Sequence, residues 1–160
     1  MKYLDALIIG AGFSGLYQLH CLRDKLKLNT LVVEEGKDIG GTWYWNTYPG
    51  ARCDSESFTY GFTFSEKIFK NWTWKERYPK QNVILKYLKY FSNELKLKKN
   101  IVFNEKVISA KYIEKNNLWK IQTNNKKKYY TKYLICAVGS LSSINLPKIK
   151  GINQFKGQLH

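Results

Sequence analysis

The glycines near the N-terminus restrict the fold more than any other feature of the chain. Residues 3–9 form a short apolar run, and residues 10–15 then read G-A-G-F-S-G, the spacing G-x-G-x-x-G. Where a strand turns directly into a helix, Gly10 makes the tight turn, Gly12 lets a pyrophosphate approach the backbone, and Gly15 lets the helix lie close to the strand. The sequence therefore predicts a β-strand, a glycine turn and a helix whose N-terminus faces an anion.

A helix, a second strand and an acid follow in the expected order. Residues 14–28 carry leucines at helical spacing, and residues 30–34 form a β-branched run that ends on Glu34. An acid at that strand end hydrogen-bonds the ribose hydroxyls of a bound dinucleotide, and Glu35 is the neighbouring alternative to Glu34. Because an acid there disfavours a 2′-phosphate, the dinucleotide is predicted to be FAD or NAD rather than NADP.

The segment 40–54 reads G-G-T-W-Y-W-N-T-Y-P-G-A-R-C-D, and its composition predicts an ordered binding loop rather than a helix or a central strand. Glycines let the backbone approach a flat ligand, aromatic rings cover its face, and Pro49 sets a turn. An ordinary surface loop with aromatic packing is the alternative. After a dinucleotide-binding unit, the segment favours FAD over NAD.

These segments resemble the beginning of the class B flavoprotein monooxygenases, and most closely that of the Baeyer–Villiger monooxygenases. The resemblance continues through residues 72–78, Gln81, residues 133–139, the pair Leu146-Pro147 and Gly151, and so covers nearly all 160 residues. It implies an enzyme that uses FAD, NADPH and O2 to convert a small carbonyl substrate into an ester or lactone. An N- or S-oxygenating relative is the nearest alternative.

The resemblance also implies site residues. Asp54 is the predicted catalytic residue, because in the family it helps to position an Arg from a later region, and a role in ordering the loop is the alternative. Arg52 could contact a cofactor phosphate or pair with Glu56. No metal site is predicted. The predicted cofactor-binding residues are Gly10, Gly12, Phe13, Ser14, Gly15, Glu34, Gly41, Thr42, Trp43, Tyr48, Asp54, Val107, Ala137 and Gly139.

The last six residues resemble the family fingerprint F-x-G-x-x-x-H, but only two residues separate Gly157 from His160. The spacing is one residue short, so we assign His160 no role.

The predicted fold class is α/β, a Rossmann-like FAD/NAD(P)-binding three-layer fold. Its parallel sheet includes strands at residues 3, 30 and 133, and a small antiparallel meander is expected at about 101–131. A second helix is expected at 81–97. Since residues 1–160 contain one G-x-G-x-x-G, we interpret them as the N-terminal part of an FAD-binding domain without the NADPH domain. A fragment, a truncated gene product and one part of a split protein all fit. The missing part would leave a sheet edge uncovered and open to association.

The net charge of +15 raises the possibility of a nucleic-acid partner. Only three of the 27 basic residues are Arg, and scattered Lys is typical of a solvated surface, so no specific nucleic-acid binding is expected. A basic nucleic-acid-binding protein and a non-catalytic FAD-binding module are the alternatives from other functional classes.

The three cysteines lie far apart, which argues against a disulfide framework, a zinc site and the redox cysteine pair of flavin disulfide reductases. The N-terminus has no leader pattern, and no apolar run approaches 18 residues. We therefore expect a cytoplasmic protein without a membrane partner.

Overall fold

A single mixed sheet organises the computed structural model, which describes residues 2–143 and 145–158. Leu159 and His160, and with them the end of the fingerprint, lie outside the described residues. The strands are β1 (Lys2–Ile9), β2 (Thr30–Val33), β3 (Ile101–Val102), β4 (Val107–Ile113), β5 (Leu118–Thr123) and β6 (Lys128–Cys136). Their order across the sheet is β3-β2-β1-β6-β5-β4.

Four α-helices connect these strands: α1 (Phe13–Leu19), α2 (Thr42–Trp45), α3 (Glu66–Lys70) and α4 (Gln81–Glu94). A π-helical segment, His20–Lys25, continues α1, and short 3₁₀ turns lie at Leu97–Asn100, Glu114–Asn116 and Ile152–Gln154. The helix expected at 14–28 is thus present as α1 and the π segment. The helix expected at 81–97 ends at Glu94, because Lys96 takes a left-handed conformation with φ 51°.

The sheet confirms the predicted α/β class, and its details differ from expectation in two places. Strands β3, β2, β1 and β6 pair in parallel, whereas β6, β5 and β4 form the antiparallel meander. Residues 101–103 were expected in the meander, but Ile101 pairs in parallel with Val32. The runs at 129–131 and 133–138 were expected as two strands, but they belong to one strand, because β6 stays paired with β1 along its length.

Two buried clusters show that the structure has three layers. Successive residues of a strand face opposite sides of a sheet. Ile8 packs with Leu16 of α1 and Leu88 of α4, whereas its neighbour Leu7 packs with Ile121 and Tyr129 of the meander. Helices therefore cover one face of the parallel strands, and the meander covers the other.

Within the described part of the chain, no helix is both long and apolar enough to cross a membrane.

Candidate functional site

The glycine turn between β1 and α1 has the close contacts that its sequence predicts. Gly10 has φ +99°, and a methyl group placed on it would lie 2.6 Å from the carbonyl oxygen of Ala137. A methyl group on Gly15 would lie 1.9 Å from the carbonyl oxygen of Gly10. Because both positions exclude a side chain, helix α1 starts directly against the ends of β1 and β6.

The aromatic segment 40–54 closes over this turn. The amide of Gly40 donates to the carbonyl oxygen of Ala11 at 3.0 Å. A methyl group on Gly41, which has φ +54°, would lie 2.9 Å from the Cα of Gly12. The two glycine backbones therefore face each other without side chains, and such bare backbone can approach a phosphate or a planar group closely.

The segment is more regular than its composition predicts. Thr42–Trp45 form one turn of α-helix, α2, so the expectation that no part of the segment is helical was wrong. The reason is the backbone of Gly41, whose positive φ reverses the chain and lets a single helical turn begin at Thr42. The carbonyl oxygen of Thr42 accepts hydrogen bonds from the amide and the side chain of Asn46 at the end of that turn.

Glu34 lies at the end of β2 and is only 5% exposed. One carboxylate oxygen accepts a hydrogen bond from the Ala11 amide at 2.6 Å, and the other accepts one from the Gly36 amide at 2.7 Å. Each oxygen keeps a second lone pair that can accept from a ligand hydroxyl. Glu35, the alternative, is half exposed and pairs with Lys106 at 2.9 Å, so the structure places Glu34 and not Glu35 beside the glycine turn.

Two residues outside the predicted site, Tyr60 and Gln81, anchor α2. The indole nitrogen of the buried Trp43 donates to the hydroxyl of Tyr60 at 3.0 Å, and the side-chain amide of Gln81 donates to the carbonyl oxygen of Trp43. Burial raises the pKa of Tyr60, and nearby Cys53 and Asp54 raise it further, so Tyr60 is a neutral hydroxyl near pH 7. Tyr60 lies in the stretch F-T-Y-G-F-T-F at 58–64, whose alternating aromatic residues are its one signal in the sequence.

Asp54 and its neighbours lie at the open end of the segment. Asp54 is exposed, lies near Tyr60 and forms no ion pair with any described residue. Arg52 donates to the carbonyl oxygen of Tyr78 at 3.0 Å and pairs with Glu76. The suggested pairing of Arg52 with Glu56 is wrong, because Glu56 pairs with Arg77.

A pocket of about 340 Å³ opens beside Arg52. Tyr48, which is 64% exposed, forms part of its wall. The remaining lining residues are Gly50, Ala51, Lys80, Gln81 and Asn82.

The other predicted site residues lie in three places. Ala137, Gly139 and Ser14 lie around the glycine turn: the Ala137 amide donates to Ile9 at 2.9 Å, Gly139 faces open space, and Ser14 is exposed in the first turn of α1. Phe13 packs inward, with its ring centroid 4.9 Å from that of Tyr60. Val107 is half-buried at the start of β4.

The structure thus brings Gly10, Gly12, Gly15, Glu34 and Gly41 into one site, in which a shielded carboxylate lies beside bare backbone. Such a site can hold a ligand with both sugar hydroxyls and phosphates. Among the described residues, no group of His, Cys, Asp or Glu side chains could hold a metal ion, and the three cysteines are unpaired.

Known proteins resemble the chain along almost its whole length. The sequence model of the pyridine nucleotide-disulphide oxidoreductase family matches residues 7–160. A Baeyer-Villiger monooxygenase from Pseudooceanicola batsensis is 43% identical over 155 residues, which are 97% of this chain and 28% of that protein.

Two solved structures show the same similarity. Cyclohexanone monooxygenase from Rhodococcus sp. Phi1 bound to NADP+ superposes with a TM-score of 0.90 at 40% identity, over 98% of this chain and 30% of that one. OTEMO in complex with FAD and NADP superposes with a TM-score of 0.86 at 40% identity, over 97% of this chain and 29% of that one. The chain therefore spans less than a third of the length of these relatives.

Proposed function

The chain belongs to the pyridine nucleotide-disulphide oxidoreductase family, in the branch of the Baeyer–Villiger monooxygenases, and we propose that it binds FAD for an NADPH- and O2-dependent oxygenation of ketones. We also propose that residues 1–160 form the N-terminal part of an FAD-binding domain. One of the two structural relatives holds FAD, and both hold NADP.

The observation that carries the proposal is the hydrogen bond from the Ala11 amide, inside the glycine turn, to the Glu34 carboxylate. A dinucleotide needs an acceptor for its ribose hydroxyls within reach of a backbone that its phosphates can approach. Glu34 is bonded to Ala11, inside the turn, and Gly12 lies against Gly41 with no side chain between them. The residues present therefore fit FAD.

Each group of residues would have a separate task. Gly10 and Gly15 would shape the turn, the backbone at Gly12 would approach the pyrophosphate, and Glu34 and the backbone of Val107 would hold the adenosine half. Segment 40–54 would cover the flavin half and exclude water. Bound FAD supplies hydride acceptance from NADPH and the activation of O2.

The same resemblance supports three further points. The substrate is a ketone, the product is an ester or lactone, and Asp54 is a catalytic residue. Asp54 is exposed beside the aromatic segment, where its carboxylate could orient an Arg from another part of a whole enzyme. A cytoplasmic location also belongs to the proposal, and three unpaired cysteines support it.

The direct test of FAD binding is the visible spectrum of the purified protein. The wild type should be yellow and should gain thermal stability with FAD. Gly12→Ala should fold, because its methyl group would make an ordinary 3.4 Å contact, but it should lose the flavin because that methyl group occupies the phosphate approach. Glu66→Gln, which changes an exposed carboxylate on α3 outside the site, is the control and should stay yellow. A colourless wild type without an FAD-dependent shift would refute the proposal.

Turnover is a separate question. The 160 residues contain one G-x-G-x-x-G, and we expect them alone to bind FAD without NADPH-dependent oxygenation. The test is gas chromatography of a cyclic ketone incubated with the protein, FAD and NADPH. Ester formation would overturn the view that NADPH use requires further residues.

A further inference from the structure

We propose that the buried carboxylate of Glu105 is a positioning group for the adenosine end of the FAD site, and this inference rests on the FAD binding proposed above. Glu105 does not belong to the glycine turn. It acts through the backbone of Glu34 and through the start of β4, where Val107 lies.

Glu105 is unusually buried for a charged side chain, at 1% exposed. Carboxylates are almost never fully buried unless they are paired. Its oxygens accept hydrogen bonds from the Thr123 hydroxyl, from the Asn125 amide at 3.2 Å and from the Lys127 ammonium at 2.8 Å. Burial raises the pKa of Glu105, but these three donors outweigh burial and hold the pKa below its usual value. The carboxylate is therefore charged at neutral pH.

The backbone of this segment is bonded directly to Glu34. The Glu34 amide donates to the carbonyl oxygen of Val102 at 2.8 Å, and the Glu105 amide donates to the carbonyl oxygen of Glu34 at 2.9 Å. The Asn104 amide donates to Gly36 at 3.0 Å. Residues 102–105 thus stay hydrogen-bonded to the chain after β2 ends at Val33. These bonds hold the backbone on both sides of the Glu34 carboxylate.

The donors to Glu105 lie at the end of β5 and in the turn that joins β5 to β6. That turn is also bonded to the chain after Glu105: the amides of Lys106 and Asn124 each donate to the other residue, at 2.9 and 2.8 Å. Thr123, which donates to the Glu105 carboxylate, pairs across the sheet with Val107. The carboxylate is therefore the buried, charged part of the link between the β5–β6 turn and the backbone that presents both predicted adenosine contacts.

Stability alone does not account for this arrangement. An apolar cluster of similar size often stabilises a fold as well as a buried ion pair does, whereas charged hydrogen bonds fix one geometry. A positioning role predicts a selective effect on ligands that contain adenosine. A merely structural role predicts an equal loss for every ligand.

The experiment compares the dissociation constants of FAD, ADP and FMN, since ADP carries the adenosine half and FMN carries the flavin half. Glu105→Gln should weaken FAD and ADP by about two- to thirtyfold, as for residues that couple to a site through a network, and leave FMN unchanged. Lys127→Met, which keeps the Thr123 and Asn125 bonds, should show the same pattern to a smaller degree. Glu66→Gln is the matched control, because it removes an exposed Lys-paired carboxylate on α3, away from Glu34 and Glu105, and should change nothing.

The possible outcomes separate this inference from the proposed function. A wild type that binds FAD, with unchanged ADP affinity in both variants, overturns the inference and leaves the proposed function intact. Equal weakening of ADP and FMN also overturns the inference, because it indicates general loosening. A wild type that binds neither FAD nor ADP overturns both. If Glu105→Gln does not fold, the selectivity of Lys127→Met decides.

Discussion

At the scale of single residues, Gly15 has the least space in the glycine turn. A methyl group there would lie 1.9 Å from the Gly10 carbonyl oxygen, which is backbone and cannot move aside without shifting β1. We expect Gly15→Ala to lower the free energy of unfolding by about 3 kcal/mol, through overpacking. Urea unfolding followed by circular dichroism measures this loss.

Gly12→Ala is the matched control for that prediction. Its backbone, with φ −82°, suits any residue, and its methyl group would be 3.4 Å from the Gly41 Cα. The unfolding free energy should therefore change by less than about 1 kcal/mol. Equal destabilisation by the two substitutions would show that the glycines act only as flexible residues and not through close packing.

At the scale of elements, sequence periodicity predicted the long helices and strands, whereas tertiary contacts determine the short ones. The leucine spacing at 16–26 and the β-branched run at 30–33 were sufficient, because each carries its own periodicity. The two-residue β3 has none, and its place depends on Ile101 reaching Val32. The single turn α2 depends on the backbone of Gly41, and composition does not reveal that conformation.

The site could be predicted from the sequence to a similar extent. The glycine turn and Glu34 follow from spacing, since a strand, a turn and a helix fix their positions relative to one another. Tyr60 and Glu105 could not be found in this way. Their partners, Trp43 and the 123–127 turn, are 17 or more residues away along the chain, and no local pattern connects them.

The π segment His20–Lys25 has a specific anchor in Arg23. Its guanidinium donates to Asp24, to Asn100 and to the carbonyl oxygens of Leu95 and Lys96, and so ties this segment to the end of α4. Lys cannot reproduce these bonds with one ammonium. Arg23→Lys should therefore cost about 2 kcal/mol, measured as a lower melting temperature and as faster amide exchange near residue 95.

Arg77→Lys provides the comparison for Arg23→Lys. Arg77 also pairs with a carboxylate, that of Glu56, but its side chain is 71% exposed. Such a pair contributes less than about 1 kcal/mol, so this substitution should be nearly neutral. If Arg23→Lys were as mild, the π segment would be held by its own packing rather than by the guanidinium.

At the scale of the whole molecule, paired carboxylates set the response to acid. Burial raises the pKa values of Asp24 and Asp38, but Arg23 and His20 beside the first and Lys98 and Lys89 beside the second outweigh burial, so both pKa values lie below the usual range. Glu105 behaves in the same way. A carboxyl pKa that is lower in the folded state adds stability above the unfolded value, near 4, and loses it as the pH falls through the folded value.

We therefore expect the melting temperature to be level near neutral pH and to fall steadily below about pH 4.5. Asp38→Asn should make that fall shallower, because it removes one of the three groups. Glu66→Gln, which removes a carboxylate that is 78% exposed, should leave the profile unchanged. Scanning calorimetry from pH 3 to 7 measures the slopes. A wild-type profile that stays level to pH 3 would contradict the assignment of these groups.

Self-association is the other property of the whole molecule, and we expect two copies of the chain to pair along the outer edge of β4. Strand β4 lies at one end of the sheet, so its outer edge has no partner strand among the described residues, and Ile108 and Tyr112 are exposed along it. Such an edge can pair with a second copy. The net charge of +15 opposes contact between copies, and salt screens that repulsion. Association should therefore become stronger as salt is raised, which distinguishes it from association through ion pairs.

The test is sedimentation velocity at low and high salt. Wild-type protein should shift from monomer towards dimer as salt increases, and Ile108→Lys should remain monomeric, because a charge on an edge strand prevents pairing. Leu141→Lys is the control, since Leu141 is 69% exposed but lies outside the sheet, and it should associate as the wild type does. If Leu141→Lys abolishes the dimer and Ile108→Lys does not, the exposed apolar residues after β6, and not the edge of β4, hold the two copies together.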